Sequence, residues 1–169
     1  MAVRAAAGLA LRPLRTADLA AVLAIQRAAY GDDYQETAVV LARKLALAPR
    51  ACWLAQAEGA AVGYVFAHPW GDVGAPPLHA PLAALPAQAG QGFLHDLAVL
   101  PAARGRGVAA ALFGRVRDWS AGAGHRGLRL VALADAVPFW ARQGFSALPA
   151  MLPAGYGEGA RLMARALRA

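Results

Sequence analysis

Arg104-Gly105-Arg106-Gly107-Val108-Ala109 combines backbone freedom and positive charge in the way an anion site requires. Glycine lets the chain approach a ligand closely and take positive φ, and the first N–H groups of a helix starting here would stay unpaired. With the positive end of the helix dipole and two arginines, those donors suit a pyrophosphate. The plain alternative is a glycine-rich turn with two solvated arginines, because short glycine motifs recur by chance. A triphosphate-binding P-loop needs Lys and then Ser or Thr after its glycines, whereas Val108-Ala109 follow here. Gly105-x-Gly107-x-x-Ala110 does satisfy a dinucleotide fingerprint, but Pro101–Arg104 separates it from the preceding strand and residues 125–134 hold no acid for a ribose. A nicotinamide enzyme is therefore the runner-up among enzymes.

The second chemical feature is His95-Asp96, two polar neighbours inside the apolar run Phe93–Leu100. Successive strand residues face opposite ways, so at most one of them is expected to reach a cleft. Burial would raise the pKa of Asp96 and lower that of His95, and either shift makes a useful base; a structural hydrogen-bonded pair is the bland reading. His68, His79 and His125 lack metal-ligand spacing and read as surface or loop histidines, so no metal site is expected. Cys52, the single cysteine, reads as buried filler and excludes a disulfide framework or a Cys-rich zinc site.

Positioning these residues takes an alternation of strands and helices. Gly8–Leu14 reads as a first strand. Thr16 and Asp18 cap a helix running toward Tyr30, and a second helix covers Thr37–Leu47 and stops before Pro49. Ala51–Ala57 and Ala61–Ala67 form a strand pair around Glu58-Gly59-Ala60. Residues 69–91, with five prolines and no periodicity, form a long loop of the functional or mobile kind. Phe93–Leu100 predicts a central strand buried on both faces, followed by a helix over Val108–Trp119. A strand at Leu128–Leu133, a helix over Ala134–Arg142, an extended piece after Gly144 and a last strand at Arg161–Leu167 complete the chain.

Composition bounds the rest. The chain has 169 residues, 59% of them apolar, which supplies a real core and excludes disorder. Its net charge of +7 is unevenly placed: Lys44 and six arginines face six acids up to residue 91, and ten arginines face four acids beyond it. The C-terminal half therefore expects an anionic partner. Mean hydropathy is +0.39, but alanine inflates it, and no window approaches the ~18 uninterrupted apolar residues of a membrane span. Met1–Arg15 carries arginine and alanine without acid, as a transit peptide does, yet its apolar run is short and broken at Arg12-Pro13. A reducing cytoplasm is the expected setting.

The segment from Gly92 to Ala109 resembles the acetyl-CoA site of the GNAT acetyltransferases, whose signature is [QR]-x-x-G-x-[GA]. Arg104, Gly107 and Ala109 occupy its fixed positions, and Leu97-Ala98-Val99 matches the strand before it. Downstream, Ala136 to Phe145 is similar to the family's A-x-x-[FL]-Y-x-x-x-G-F segment. The resemblance covers nearly the whole chain and is most secure over residues 92–146. It implies a single α+β domain over residues 1–169, with a mixed, mostly antiparallel sheet of six or seven strands flanked by about four helices.

By the same resemblance, acetyl-CoA is the co-substrate. The backbone of Leu97, Ala98 and Val99 would pair with the pantetheine arm, and Arg104, Gly105, Arg106, Gly107, Val108 and Ala109 would hold the pyrophosphate. An amine would attack the thioester directly, which requires a base, Asp96 or His95, with Asp96 preferred for its place before Leu97. The family often has Tyr where this chain has Trp140, and an indole cannot protonate a thiolate. Trp140 is then expected to pack on the cofactor or the core, leaving the acid's role to Tyr156 or to water. Tyr30, Asp32 and Asp33 fall where the family places part of its acceptor site, and the two acids could attract a cationic amine. Small amines and peptides both fit as acceptors, and a homodimer is the family habit. The alternatives are a non-catalytic acyl-CoA-binding or regulatory module and, lower, a nucleic-acid binder, which lacks a basic stretch interleaved with aromatics.

Overall fold

The computed structural model describes residues 8–72 and 74–167; the alanine- and arginine-rich opening, Met1–Ala7, lies outside the described residues. Among the described residues, seven strands form one sheet: β1 (Leu9–Pro13), β2 (Trp53–Ala57), β3 (Ala60–Trp70), β4 (Gln91–Val99), β5 (Gly127–Ala132), β6 (Ser146–Ala147) and β7 (Arg161–Ala166). Their order is β1-β2-β3-β4-β5-β7-β6, and only β4 and β5 run parallel. Four α-helices of the described residues flank it: α1 (Leu19–Tyr30), α2 (Ala38–Leu47), α3 (Val108–Gly122) and α4 (Val137–Arg142). The expected α+β domain is the observed one. Among the described residues, no helix is long and apolar enough to cross a membrane.

Local chemistry starts and stops these elements. Asp18 takes two hydrogen bonds from the Arg12 guanidinium and one from the Arg15 N–H, all at 2.8 Å, which ties β1 to the entry of α1. The Thr37 hydroxyl accepts the Val40 N–H and caps α2. Glu58 and Gly59, both at positive φ, make the tight turn between β2 and β3. Gly107, at φ +79°, is the N-cap of α3, so that helix begins in a conformation that side chains with a Cβ rarely adopt.

Each face of the sheet carries its own apolar layer. On one side α3 lays Leu112, Phe113 and Val116 against Val65, Leu94, Leu128 and Leu130; on the other, α1 and α2 lay Val22, Ile25, Leu41 and Leu45 against Leu54, Tyr64 and Phe66. β3 runs three residues beyond its expected end and carries His68 into the interior, stacked on Phe93 with ring centroids 5.5 Å apart. The surface or loop placement expected for His68 is thus overturned, and burial pushes its pKa down to about 3. Cys52 is wholly buried, and burial pushes its thiol up to about 12.

Two irregularities in β4 position the site. In the ladder with β3, Phe66 faces Asp96 and the next residue, Ala67, faces Leu94, so His95 is one residue too many: a β-bulge. The bulge suspends the alternation of faces, and both His95 and Asp96 turn toward α1 and α2, where the first meets Glu36 and the second Tyr30 and Tyr64. The expectation that only one of them could face that side is corrected by this inserted residue. Second, β4 and β5 pair only from Gln91–Gly127 to Leu94–Leu130 and then part, which leaves a cleft beside Leu97–Val99.

Candidate active site

The cleft opens into a cavity of about 600 Å³, within the ~300–1,000 Å³ of small-molecule sites. One end is walled by Leu97, Ala98 and Val99 of β4, by Arg104, Gly105, Gly107, Val108 and Ala109 at the mouth of α3, and by Phe139 and Trp140 of α4. The other end is walled by Tyr30, Tyr34, Leu78, His95, Asp96 and Tyr156. A free strand edge, a glycine-lined helix N-terminus and a half-buried carboxyl thus meet in one space.

The residues at the first end fit an extended ligand carrying phosphates. Gly105 and Gly107 both have positive φ, at +75° and +79°, and the turn they make aims Arg104 at the cavity. Arg106 is exposed and lines a separate hollow with Leu9, Glu58 and Val62. Of the two arginines expected on one anion, only Arg104 lines this cavity. Trp140 is buried edge-on against Phe113, Phe139 and Phe145, at centroid separations of 5.7, 4.9 and 5.4 Å, and also lines the cavity.

At the second end Asp96 is held by two phenols. The Tyr64 hydroxyl donates to its Oδ2 at 2.7 Å; the Tyr30 hydroxyl lies 3.1 Å from its Oδ1 and donates to the Leu97 carbonyl at 2.6 Å. Burial raises the Asp96 carboxyl above the ordinary aspartate value, against the hydrogen bond from Tyr64 that favours the anion. Burial and the neighbouring Asp96 push both phenols well above the usual tyrosine range, so Tyr30 and Tyr64 keep their protons.

Behind Asp96 lies a buried polar cluster. Glu36, from the connection before α2, meets His95 Nε2 at 2.5 Å, Lys44 Nζ at 3.5 Å and the His79 N–H at 3.0 Å. Burial alone would raise Glu36, but the hydrogen bond from His95 and the Lys44 ammonium hold it down at about 2. Burial lowers Lys44 against the pull of Glu36. Glu36, Lys44 and Tyr64 carry no site role in the sequence reading, where the first two enter only the charge count. Only the fold brings Glu36 and Lys44 together, so no local pattern marks them.

Tyr156 also lines this end, but its hydroxyl donates to the Pro76 carbonyl at 2.7 Å, and burial raises its pKa. Asp32 and Asp33 stand exposed on the turn after α1 and do not line the cavity, since Gly31 at φ +70° turns the chain outward before them. Tyr30 and Tyr34, on either side of them, are the residues of that turn that reach it.

The fold that forms this cleft has counterparts. The family model for the acetyltransferase (GNAT) family matches residues 19–145. The chain belongs to the GNAT acetyltransferase family. Solved GNAT structures share its whole architecture: Ard1 from Thermoplasma volcanium at 18% identity, covering 96% of this chain and 99% of that one with a TM-score of 0.77. A GNAT-like decarboxylase, GphF, in complex with isobutyryl-CoA, is 22% identical, with 94% and 100% covered and a TM-score of 0.78. The ribosomal-protein-S18-alanine N-acetyltransferase from Escherichia coli is 18% identical, with 94% and 93% covered and a TM-score of 0.69. Comparison with curated protein sequences gives no match. At these identities the structures speak for the fold of this GNAT protein, and the family model for acyl transfer as its activity.

Proposed function

We propose that this GNAT protein transfers the acetyl group of acetyl-CoA to a primary amine, with Asp96 as the proton acceptor. The observation that carries the reading is the junction of the cleft beside Leu97–Val99 with a half-buried, raised carboxyl on the bulge. Leu97, Ala98 and Val99 would hold the pantetheine arm by main-chain hydrogen bonds, and the N–H groups after Gly107, with Arg104, the pyrophosphate. Bound acetyl-CoA supplies an activated acetyl thioester, and solved GNAT structures in complex with CoA or an acyl-CoA are among those the chain resembles.

Asp96 suits the base because its raised carboxyl has the higher proton affinity an amine's deprotonation needs. His95 suits it less: its side chain is buried and its Nε2 is bound to Glu36. As the nitrogen bonds the acetyl carbon and the C–S bond breaks, Asp96 takes the amine proton and water returns one to the sulfur. Water has that role because Trp140 cannot donate to a thiolate and the Tyr156 proton is committed to Pro76.

Calorimetric titration with acetyl-CoA, followed by thiol release with amines, tests this. Saturable binding and amine-dependent release are expected. No binding at high micromolar acetyl-CoA would overturn the reading, and binding with no turnover of any amine would leave an acyl-CoA-binding module. Gly107→Val puts a β-branched side chain at φ +79° in the cradle and should weaken acetyl-CoA binding by about tenfold or more, given the ~1–3 kcal/mol of such strain.

A further inference from the structure

The two phenols beside Asp96 carry fewer protons than there are acceptors for them. Among the described residues the Tyr64 hydroxyl has a single partner, Asp96 Oδ2 at 2.7 Å. The Tyr30 hydroxyl has two, the Leu97 carbonyl at 2.6 Å and Asp96 Oδ1 at 3.1 Å. A phenol has one O–H, so two protons serve three acceptors, and Tyr30 satisfies only one of its pair at a time. The two choices differ in kind. Oδ1 belongs to a group that gains and loses a proton, whereas a carbonyl only accepts.

The Leu97 carbonyl lies where that choice is felt. The Leu100 N–H donates to the Val62 carbonyl at 2.9 Å, which makes these two a hydrogen-bonded pair of the ladder between β3 and β4. Bonded and non-bonded pairs alternate along an antiparallel ladder, so Leu97 and Val99, opposite Val65 and Gly63, turn their N–H and C=O groups away from β3. Those groups therefore face the side from which β5 has parted, and the cavity. The edge proposed for the pantetheine arm and the carboxyl proposed as the base thus share one hydroxyl.

We propose that Tyr30 is a positioning residue for the proton transfer, its hydroxyl turning between Asp96 Oδ1 and the Leu97 carbonyl as Asp96 loses and gains its proton. Its use in catalysis rests on the acetyl-transfer reading above; the turning itself rests on the three hydrogen bonds. While Asp96 is a carboxylate, Tyr64 donates to Oδ2 and Tyr30 to Oδ1. When the attacking amine gives up its proton, the N–H bond breaks, the electron pair stays with nitrogen, and the proton bonds to Oδ1. The new Oδ1–H donates to the Tyr30 oxygen, and the Tyr30 O–H, unbroken, turns to Leu97. Oδ1 is the receiving oxygen because Tyr64 occupies Oδ2 and has no second acceptor among the described residues. Other titratable groups of the neighbouring elements act on this pair: His95 and Glu36, bonded to each other, Lys44 of α2, Arg104 at the mouth of α3, and Tyr156. They set where Asp96 titrates, but only Tyr30 bonds both Asp96 and Leu97.

The first test needs neither cofactor nor activity. In protein labelled with 13C at backbone carbonyls and aspartate carboxyls, the Leu97 carbonyl resonance should follow the Asp96 titration, and the Val99 carbonyl should not. In Tyr30→Phe, which keeps the ring, the Leu97 response should vanish while Asp96 still titrates. A Leu97 carbonyl that ignores Asp96, or follows it without the Tyr30 hydroxyl, overturns the proposal whether or not acetyl is transferred. Kinetics then test the use. Tyr30→Phe should lower kcat by about tenfold or more, the worth of one hydrogen bond to a charged group, with acetyl-CoA affinity within a few-fold. It should also displace the acid limb of kcat/KM less than Tyr64→Phe does, since Tyr64 bonds only the carboxylate and Tyr30 bonds both forms. An unchanged kcat, or a limb displaced equally by the two variants, overturns the positioning role. If the Leu97 carbonyl follows Asp96 and no amine is turned over, acetyl transfer is what fails, and the turning of Tyr30 stands.

Discussion

At the scale of single residues, the site turns on one carboxyl and the groups that surround it. In the proposed reaction Asp96 acts as the carboxylate, and burial moves the loss of its proton to a pH above the ordinary aspartate value. kcat/KM should therefore fall as the pH drops through that raised value, earlier than an exposed aspartate would allow. Asp96→Asn should lower kcat by about 10²–10⁴-fold, the usual worth of a general base, and remove that acid limb, while acetyl-CoA affinity by calorimetry stays within a few-fold. Tyr156→Phe should keep kcat within a few-fold, because its hydroxyl serves Pro76; a hundredfold loss of kcat would make it the acid instead. The Arg104–Ala109 loop was legible because glycine spacing leaves a mark on the sequence itself. Asp96 stood out as a charge in an apolar strand. Its contacts did not: Tyr30, expected at the acceptor site, and Tyr64 come from 66 and 32 residues upstream, and only the folded sheet brings them onto Asp96.

At the scale of elements, every helix and strand of the sequence reading exists, most within two residues of the expected ends, because capping residues and turn glycines mark them locally. What periodicity could not show is the bulge. An inserted residue leaves the apolar pattern of Phe93–Leu100 unchanged and alters only the pairing with β3, which is a property of two strands. The same holds for residues 71–90, whose composition says loop and whose anchors, Glu36, Arg43 and Tyr156, lie elsewhere. Glu36 is the most costly of these anchors to lose. Glu36→Ala leaves the Lys44 ammonium buried without its counter-charge and should destabilise the fold by about 3–5 kcal/mol in urea denaturation. Because its folded pKa, about 2, lies below the ordinary 4.5, its contribution is complete above pH 4.5 and is lost as the pH falls toward 2. The acid side of the stability profile should accordingly flatten in Glu36→Gln.

At the scale of the whole molecule, the uneven charge acquires a partial assignment. Arg104 faces the cavity while Arg106 does not, so the basic C-terminal half is only partly explained by a cofactor's phosphates. Ligand binding should register in global stability: acetyl-CoA at a hundredfold over its Kd adds about 2.7 kcal/mol by mass action, which raises Tm by roughly 5–10 °C, and Gly107→Val should abolish most of that rise. The parting of β4 from β5 bears on how that stability is distributed. The sheet is in effect two plates, β1–β4 and β5 with β6 and β7, sutured by four residue pairs and splinted by α3. A molecule lying along Leu97–Val99 bridges the open seam as a rivet does, so amide exchange at these residues should slow most when the cleft is filled, and the two plates should then open as one.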